Sequence, residues 1–103
     1  NIDQSRIFNV IGMLSTAIEA AGTADDVVAV ANQLEGMEYD SMWGTKLFMR
    51  PQDHQVIQNL NVGVHTNDNV EFDYDNSGFG IVTESTVEMA SMDSPTTCKM
   101  KRP

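Results

Sequence analysis

The sequence predicts an α/β fold in which an αα-hairpin is followed by a β-hairpin and further strands. Apolar residues recur every three or four positions up to Leu34, as in amphipathic helices. From about Thr45 they alternate with polar residues, which is the period of a strand. Gly22 and Gly36 stand where two helices would end, since glycine readily takes the left-handed conformation found just past a helix.

The first helix is predicted from about Ser5 to Ala21. Its apolar positions are spaced four, three, four and three apart and form one stripe: Ile7, Ile11, Leu14, Ile18 and Ala21. Gly22 then ends the helix.

The second helix follows after a very short turn. Thr23 is predicted as its N-cap, with Asp26 three residues on as in a capping box, and Gly36 ends it. Its buried face is expected to consist of four residues: Val27, Val30, Ala31 and Leu34.

The strands are predicted from the alternation that follows. Residues 37–43 have a turn-like composition, and Thr45, Leu47 and Met49 then form a short strand that stops before Pro51. The strongest strand candidate is Val56 to Val64.

Weaker signals come after it. Val70, Phe72 and Tyr74 repeat the strand period, and Ile81 to Thr83 could form another strand. The tail beyond Asp93 is predicted to be irregular.

Composition limits the classes of partner. The chain has 103 residues, enough for one small domain, and 15 acidic against six basic residues give a net charge of −9. Such a field repels phosphate backbones and anionic lipids, so the sequence predicts no nucleic-acid partner. No apolar run approaches the roughly 20 residues of a membrane helix, so no membrane insertion is predicted.

Two features suggest that the chain is a segment of something larger. It does not begin with Met and its start does not resemble a signal peptide, so we expect that residues preceded Asn1. Cys98 is the single cysteine; it is a free or buried thiol, or its partner lay in a part absent from this sequence.

One local motif has the spacing of a calcium loop. Asp73, Asp75 and Ser77 alternate before Gly78, and Glu84 stands at the twelfth position, as in an EF-hand. The residues before Asp73 alternate like a strand, however, whereas an EF-hand needs a helix on each side. A small calcium-binding module is therefore the alternative hypothesis, and an acidic turn is the simpler interpretation.

Catalytic and pocket candidates are few. Asp53 beside His54 could in principle serve acid–base chemistry, but adjacent side chains point apart and no nucleophile motif accompanies them. His65 stands at no recognised metal-ligand spacing from His54. Three further residues could line a ligand pocket or pack onto the helices: Tyr39, Met42 and Trp43. We predict a chain that is not an enzyme and needs no cofactor.

Short segments in a fixed order carry a resemblance to a known family. They are TAIEAAGT (residues 16–23), DVVAVANQL (26–34), EGMEYD (35–40), WG (43–44), FMRPQDHQ (48–55) and the strand candidate NLNVG (59–63). This string resembles the C-terminal part of the branched-chain amino acid (Leu/Ile/Val-binding) type of periplasmic substrate-binding protein, the solute-binding component of an ABC importer. Beyond Thr66 the resemblance is weaker, and it rests on residues 78–80 and the closing segment.

The resemblance implies a type I periplasmic-binding-protein fold, with two Rossmann-like lobes that close on a ligand. Residues 1–50 would belong to one lobe, 51–55 to the last hinge crossing, and 56–103 to the other lobe and the tail. The ligand would be a branched-chain or related small amino acid or amide, delivered to an ABC permease from a periplasmic or extracytoplasmic location. Most ligand-binding residues would precede Asn1, so none is assigned in this chain. The isolated segment would expose apolar surface, and we expect it to self-associate.

Overall fold

A computed structural model describes residues 2–102, with side chains from Gln4 onward. The elements are α1 (Ile2–Ala21), α2 (Val27–Leu34), β1 (Glu38–Asp40), β2 (Lys46–Met49), β3 (Val56–Ile57), β4 (Leu60–Thr66), β5 (Gly80–Val87) and α3 (Met89–Met92). They form a small mixed α/β structure with two antiparallel sheets. This agrees with the predicted α/β class, in which two helices come before the strands. None of the helices within residues 2–102 is long and apolar enough to cross a bilayer.

The predicted αα-hairpin is confirmed, but its second cap is not the predicted one. Gly22 has φ +69° and its N–H donates to the Ile18 carbonyl at 3.0 Å, which ends α1. Thr23 does not cap α2, because its hydroxyl accepts the N–H of Asp25. Asp26 is the N-cap: its carboxylate accepts the N–H groups of residues 28 and 29 at 3.1 and 3.0 Å. A carboxylate that reaches both free amides satisfies the helix start better than the threonine hydroxyl three residues earlier.

The first sheet has the order β1-β2-β3. Tyr39 of β1 lies opposite Leu47 of β2, and Phe48 of β2 lies opposite Ile57 of β3. β1 falls within the segment predicted to be turn-like. Pairing with β2 overrides the local turn preference, as is common for short strands.

The second sheet is the antiparallel pair β4–β5, which runs from Leu60 opposite Val87 to Thr66 opposite Gly80. The predicted strand Val56 to Val64 is confirmed in part: it is divided into β3 and β4, because the chain leaves the first sheet after β3 and enters the second at β4. Strand candidate 81–83 is confirmed within β5, and the irregular tail beyond residue 93 is confirmed.

The predicted strand through Val70, Phe72 and Tyr74 is also wrong; residues 67–79 form a loop. The Asp73 carboxylate accepts the N–H groups of Ser77 and Gly78 at 3.0 and 2.8 Å. These local bonds curl the chain into a turn and compete with strand pairing.

The core is small, and only one row of residues of α1 is buried in it. The buried residues of α1 repeat every four positions: Ser5, Asn9, Met13 and Ala17. Ala17 is fully buried, whereas Ile7 and Ile11 on the opposite side are 59% and 61% exposed. In α2, only Val30 of the predicted buried face is buried; Val27 is exposed.

The shape is correspondingly extended. The radius of gyration is 17.1 Å and the principal extents are 52 × 29 × 18 Å. A compact domain of this length has a radius of gyration of about 13 Å. The apolar surface of the helices therefore finds few partners within residues 2–102.

The contact between α1 and β1 gives a testable prediction. A Cβ added at Gly12 would overlap the hydroxyl and ring of Tyr39. Gly12→Ala should therefore destabilise the chain by about 1–2 kcal/mol in urea unfolding, although Ala is normally the better helix former. Ser15→Ala, on an exposed position of the same helix, should change the stability by less than about 0.5 kcal/mol. A stabilised Gly12→Ala would contradict the close approach of α1 and β1.

Candidate functional site

The most connected polar side chain is Arg50, at the end of β2. It is 7% exposed, and its guanidinium makes a paired contact with the Asp53 carboxylate: Nε to Oδ1 at 2.9 Å and Nη2 to Oδ2 at 2.5 Å. Nη2 also donates to Gln55 Oε1 at 2.8 Å. Two parallel charge-assisted bonds fix the turn between β2 and β3 more firmly than a single contact could.

The same guanidinium reaches the distant tail. Its Nη1 donates to Asp93 Oδ1 at 2.8 Å and to the carbonyl of Ser94. Arg50 therefore joins two segments more than 40 positions apart in the sequence.

A second group lies beside this one and involves Glu35, at the end of α2. Glu35 Oε1 is 2.8 Å from His54 Nε2 and accepts from Arg102 Nε, also at 2.8 Å. Arg102 Nη2 donates to the Pro51 carbonyl at 2.5 Å. Together the two groups form a tail clamp, defined by Glu35, Arg50, Asp53, His54, Asp93 and Arg102.

The charges of the tail clamp shift two carboxyl groups in the same direction. The hydrogen bond from Arg50 holds the pKa of Asp53 well below its usual range, and Asp53 in turn raises the pKa of Arg50. Bonds from Arg102 and then His54 lower the pKa of Glu35. All of these shifts favour the ionised, paired state.

The tail clamp is a structural device rather than a catalytic pair. Asp53 bonds to Arg50, while the partner of His54 is Glu35, so the neighbouring Asp53 and His54 do not act on each other. The other histidine, His65, stacks on Phe79 with ring centroids 5.4 Å apart. Cys98 is an exposed free thiol.

The calcium-loop residues form the acidic turn that was the simpler interpretation. Asp75 accepts the hydroxyl of Ser77 at 2.7 Å, and this bond with that from the Ser77 amide lowers the pKa of Asp75. Asp73 is engaged by backbone amides, while Glu84 lies on strand β5. In the part of the chain with described side chains, residues 4–102, no three His, Cys, Asp or Glu side chains are grouped so that they could hold a metal ion.

A cavity of about 770 Å³ opens between α1, the β1–β2 turn and the link from β3 to β4. Its lining includes Met42 and Trp43, two of the three residues predicted as pocket candidates. The third, Tyr39, instead lies against Gly12 of α1. Sequence reasoning did not single out Arg6 or Asn61, which also line this cavity.

An unpartnered apolar surface lies on the two helices. A shallow apolar groove runs between them, lined by Leu14, Ile18, Ala24, Val27, Val30, Ala31 and Leu34. It continues onto the outward side of α1, where Ile7 and Ile11 are exposed. We call this surface, from Ile7 to Leu34, the apolar helical face. Contiguous apolar surfaces of this kind mark places where another surface packs.

The tail clamp leads to a mutational prediction. Arg50→Met should release the tail at neutral pH, because Asp93 and Ser94 lose the guanidinium that holds them. A fluorophore on Cys98 reports tail mobility, and its anisotropy should fall well below that of the unchanged chain. Arg6→Met removes the same charge from α1 and should leave the anisotropy unchanged. Equal anisotropy for Arg50→Met and the unchanged chain would disprove the role of Arg50.

The same label should detect release of the tail in acid. The folded-state pKa values of Asp53 and Glu35 lie below their ordinary values of 3.8 and 4.5. The stabilisation that these two carboxylates supply is therefore complete at a pH above their ordinary pKa values. It is lost as the pH falls through their lowered folded-state pKa values. We expect constant anisotropy from pH 7 to about pH 5 and a decrease only below about pH 4. A decrease already complete at pH 5 would be inconsistent with the ion pairs described.

Comparison with known proteins identified no relative of this chain. No protein-family model matches the chain, and no curated protein or solved structure matches it significantly. The functional interpretation therefore depends on the residues and contacts described above.

Proposed function

We propose that this chain is the C-terminal part of an extracytoplasmic solute-binding protein of an ABC importer, which captures branched-chain or related small amino acids and amides. The observation that carries the proposal is the apolar helical face. Ile7, Ile11 and Val27 are 59%, 61% and 74% exposed. Their spacing is nevertheless typical of the apolar stripe that a helix buries against a neighbouring element.

The proposal assigns one occupant to this face: the central sheet of a Rossmann-like lobe. In such lobes helices lie against a parallel sheet, and each helix buries one apolar stripe. α1 approaches the β1–β2 hairpin through Asn9 and Gly12, so the exposed apolar stripe on its other side is left for that sheet. Two helices joined by a short turn could cover neighbouring strands.

The division of the chain into two sheets supports a second part of the proposal. The two helices and the sheet β1-β2-β3 come first, and the β4–β5 pair follows after residues 58–59. A segment that contributes to two lobes needs such a passage. The segment 51–55 forms the turn between β2 and β3, so we place the proposed last crossing at residues 58–59 rather than 51–55.

The tail clamp suits this role. A segment that passes from one lobe to another needs its ends held, and Arg50 and Arg102 tie the tail to the turn beside the passage. The acidic turn at Asp73 contributes no ligand geometry, and we do not propose a calcium function for it.

The test of this function uses the complete protein encoded by the gene. We expect the reading frame to supply an upstream signal peptide and the remainder of two lobes. The complete protein should gain several degrees in Tm with leucine, isoleucine or valine, because a ligand that binds the folded state stabilises it. D-leucine at equal concentration is the control. A reading frame that begins near Asn1, or a frame without a second lobe, would refute the proposal.

The isolated 103-residue chain gives an independent prediction. With the apolar helical face uncovered, it should self-associate in a concentration-dependent way in light scattering. The double variant Ile7→Ser and Ile11→Ser should shift it toward the monomer. Ile81→Ser, which changes an isoleucine on β5 that is even more exposed, should not. A chain that stays monomeric at all concentrations would contradict the prediction. So would a shift toward the monomer with Ile81→Ser as large as that of the double variant.

A further inference from the structure

We propose that the cavity between α1 and the two sheets binds a small organic carboxylate with a flat apolar body, and that Arg6, Trp43 and Asn61 are the residues that recognise it. The volume of about 770 Å³ lies within the range of about 300–1,000 Å³ that is usual for small-molecule sites. All lining residues belong to this chain, so the inference does not rest on the proposed function.

The charge of the residues that line the cavity determines the charge of the ligand it favours. The chain carries 15 acidic and six basic residues, yet from Gln4 onward the one charged side chain in the lining is Arg6. Among the side chains of residues 4–102, Arg6 finds neither an ion-pair nor a hydrogen-bond partner. A guanidinium at a cavity wall without a carboxylate favours an anion with a planar pair of oxygens.

Two asparagines of the lining are oriented by the protein. Asn59 Oδ1 accepts the N–H of Met89 at 2.7 Å, and Asn61 Oδ1 accepts the hydroxyl of Thr86 at 2.9 Å. These bonds fix which end of each side chain carries the oxygen, and they leave both amide NH₂ groups free to donate. Two oriented donors near Arg6 suit an acceptor such as a carboxylate.

The apolar part of the lining is held in place before any ligand arrives. The backbone N–H of Met42 donates to Asn9 Oδ1 at 3.2 Å, and the backbone N–H of Trp43 donates to Ser41 Oγ at 3.3 Å. Ser41 Oγ is also 3.1 Å from Thr45 Oγ1, so the turn that carries Trp43 is fixed from both sides. A half-exposed indole on a fixed turn offers a flat surface to an aromatic ring at low entropic cost.

The test uses Trp43, the single tryptophan, as a reporter in the 103-residue chain. Its fluorescence is followed while 3-phenylpropanoate is added, with 3-phenylpropanamide as the uncharged counterpart. We expect a saturable change with the carboxylate and binding of the amide weaker by at least about tenfold, since hydrogen bonds to charged groups are the stronger ones.

Two variants and a matched control complete the test. Arg6→Gln should remove the preference for the carboxylate, and Asn61→Asp should abolish carboxylate binding while its oxygen still accepts from Thr86. Lys99→Gln makes the same charge change as Arg6→Gln on the tail and should bind as the unchanged chain does. Far-UV circular dichroism of each variant checks that it is folded.

Three results would overturn the inference. They are the absence of a saturable change at millimolar carboxylate, equal binding of carboxylate and amide, and equal losses for Arg6→Gln and Lys99→Gln. None of them bears on the upstream reading frame, so this inference and the proposed function can fail separately.

Discussion

The close contact between α1 and the β1–β2 hairpin is the constraint on which the rest of the structure depends. Tyr39 lies so near Gly12 that no side chain fits between them, and Asn9 bonds the backbone of Met42 across the same contact. At these two positions of α1 the hairpin leaves room only for a glycine and for a side chain that bonds to it. The isoleucines Ile7 and Ile11 lie exposed on the opposite side. The apolar helical face thus follows from how tightly the helix approaches the hairpin.

A second set of interactions compensates for the small core. Beyond β3 the chain contributes little buried apolar surface, and the β4–β5 pair is largely exposed. The tail clamp holds this part by charge instead, through Arg50 and Arg102. Ion pairs with good geometry and low exposure, such as Arg50 with Asp53, can fix a segment where packing does not.

The sequence predicted the elements better than it predicted their contacts. Periodicity and the two glycines gave both helices, because these signals are local. The pattern also located the apolar stripe of α1, but it could not tell that the hairpin would meet the other side. The strand predicted through Phe72 failed because Asp73 bonds nearby amides, a competition that alternation does not register.

The candidate sites follow the same rule. Trp43 and Met42 could be named as pocket candidates because large apolar side chains beside a predicted turn are visible in the sequence itself. Arg6 and Asn61 were not, since the fold brings them to that cavity from distant positions. The link from Arg50 to Asp93 likewise has no sequence signature, because it closes a long loop between side chains of ordinary types.

The most direct test of the proposed cover of the apolar helical face is thiol labelling at Ile11→Cys in a Cys98→Ser background. The labelling rate of the 103-residue chain is compared with that of the complete protein encoded by the gene. If a lobe sheet covers α1, labelling in the complete protein should be slower by at least about 100-fold, since the thiol reacts only after local opening. Equal labelling rates in the two proteins would contradict the claim that α1 packs on the rest of a larger binding protein.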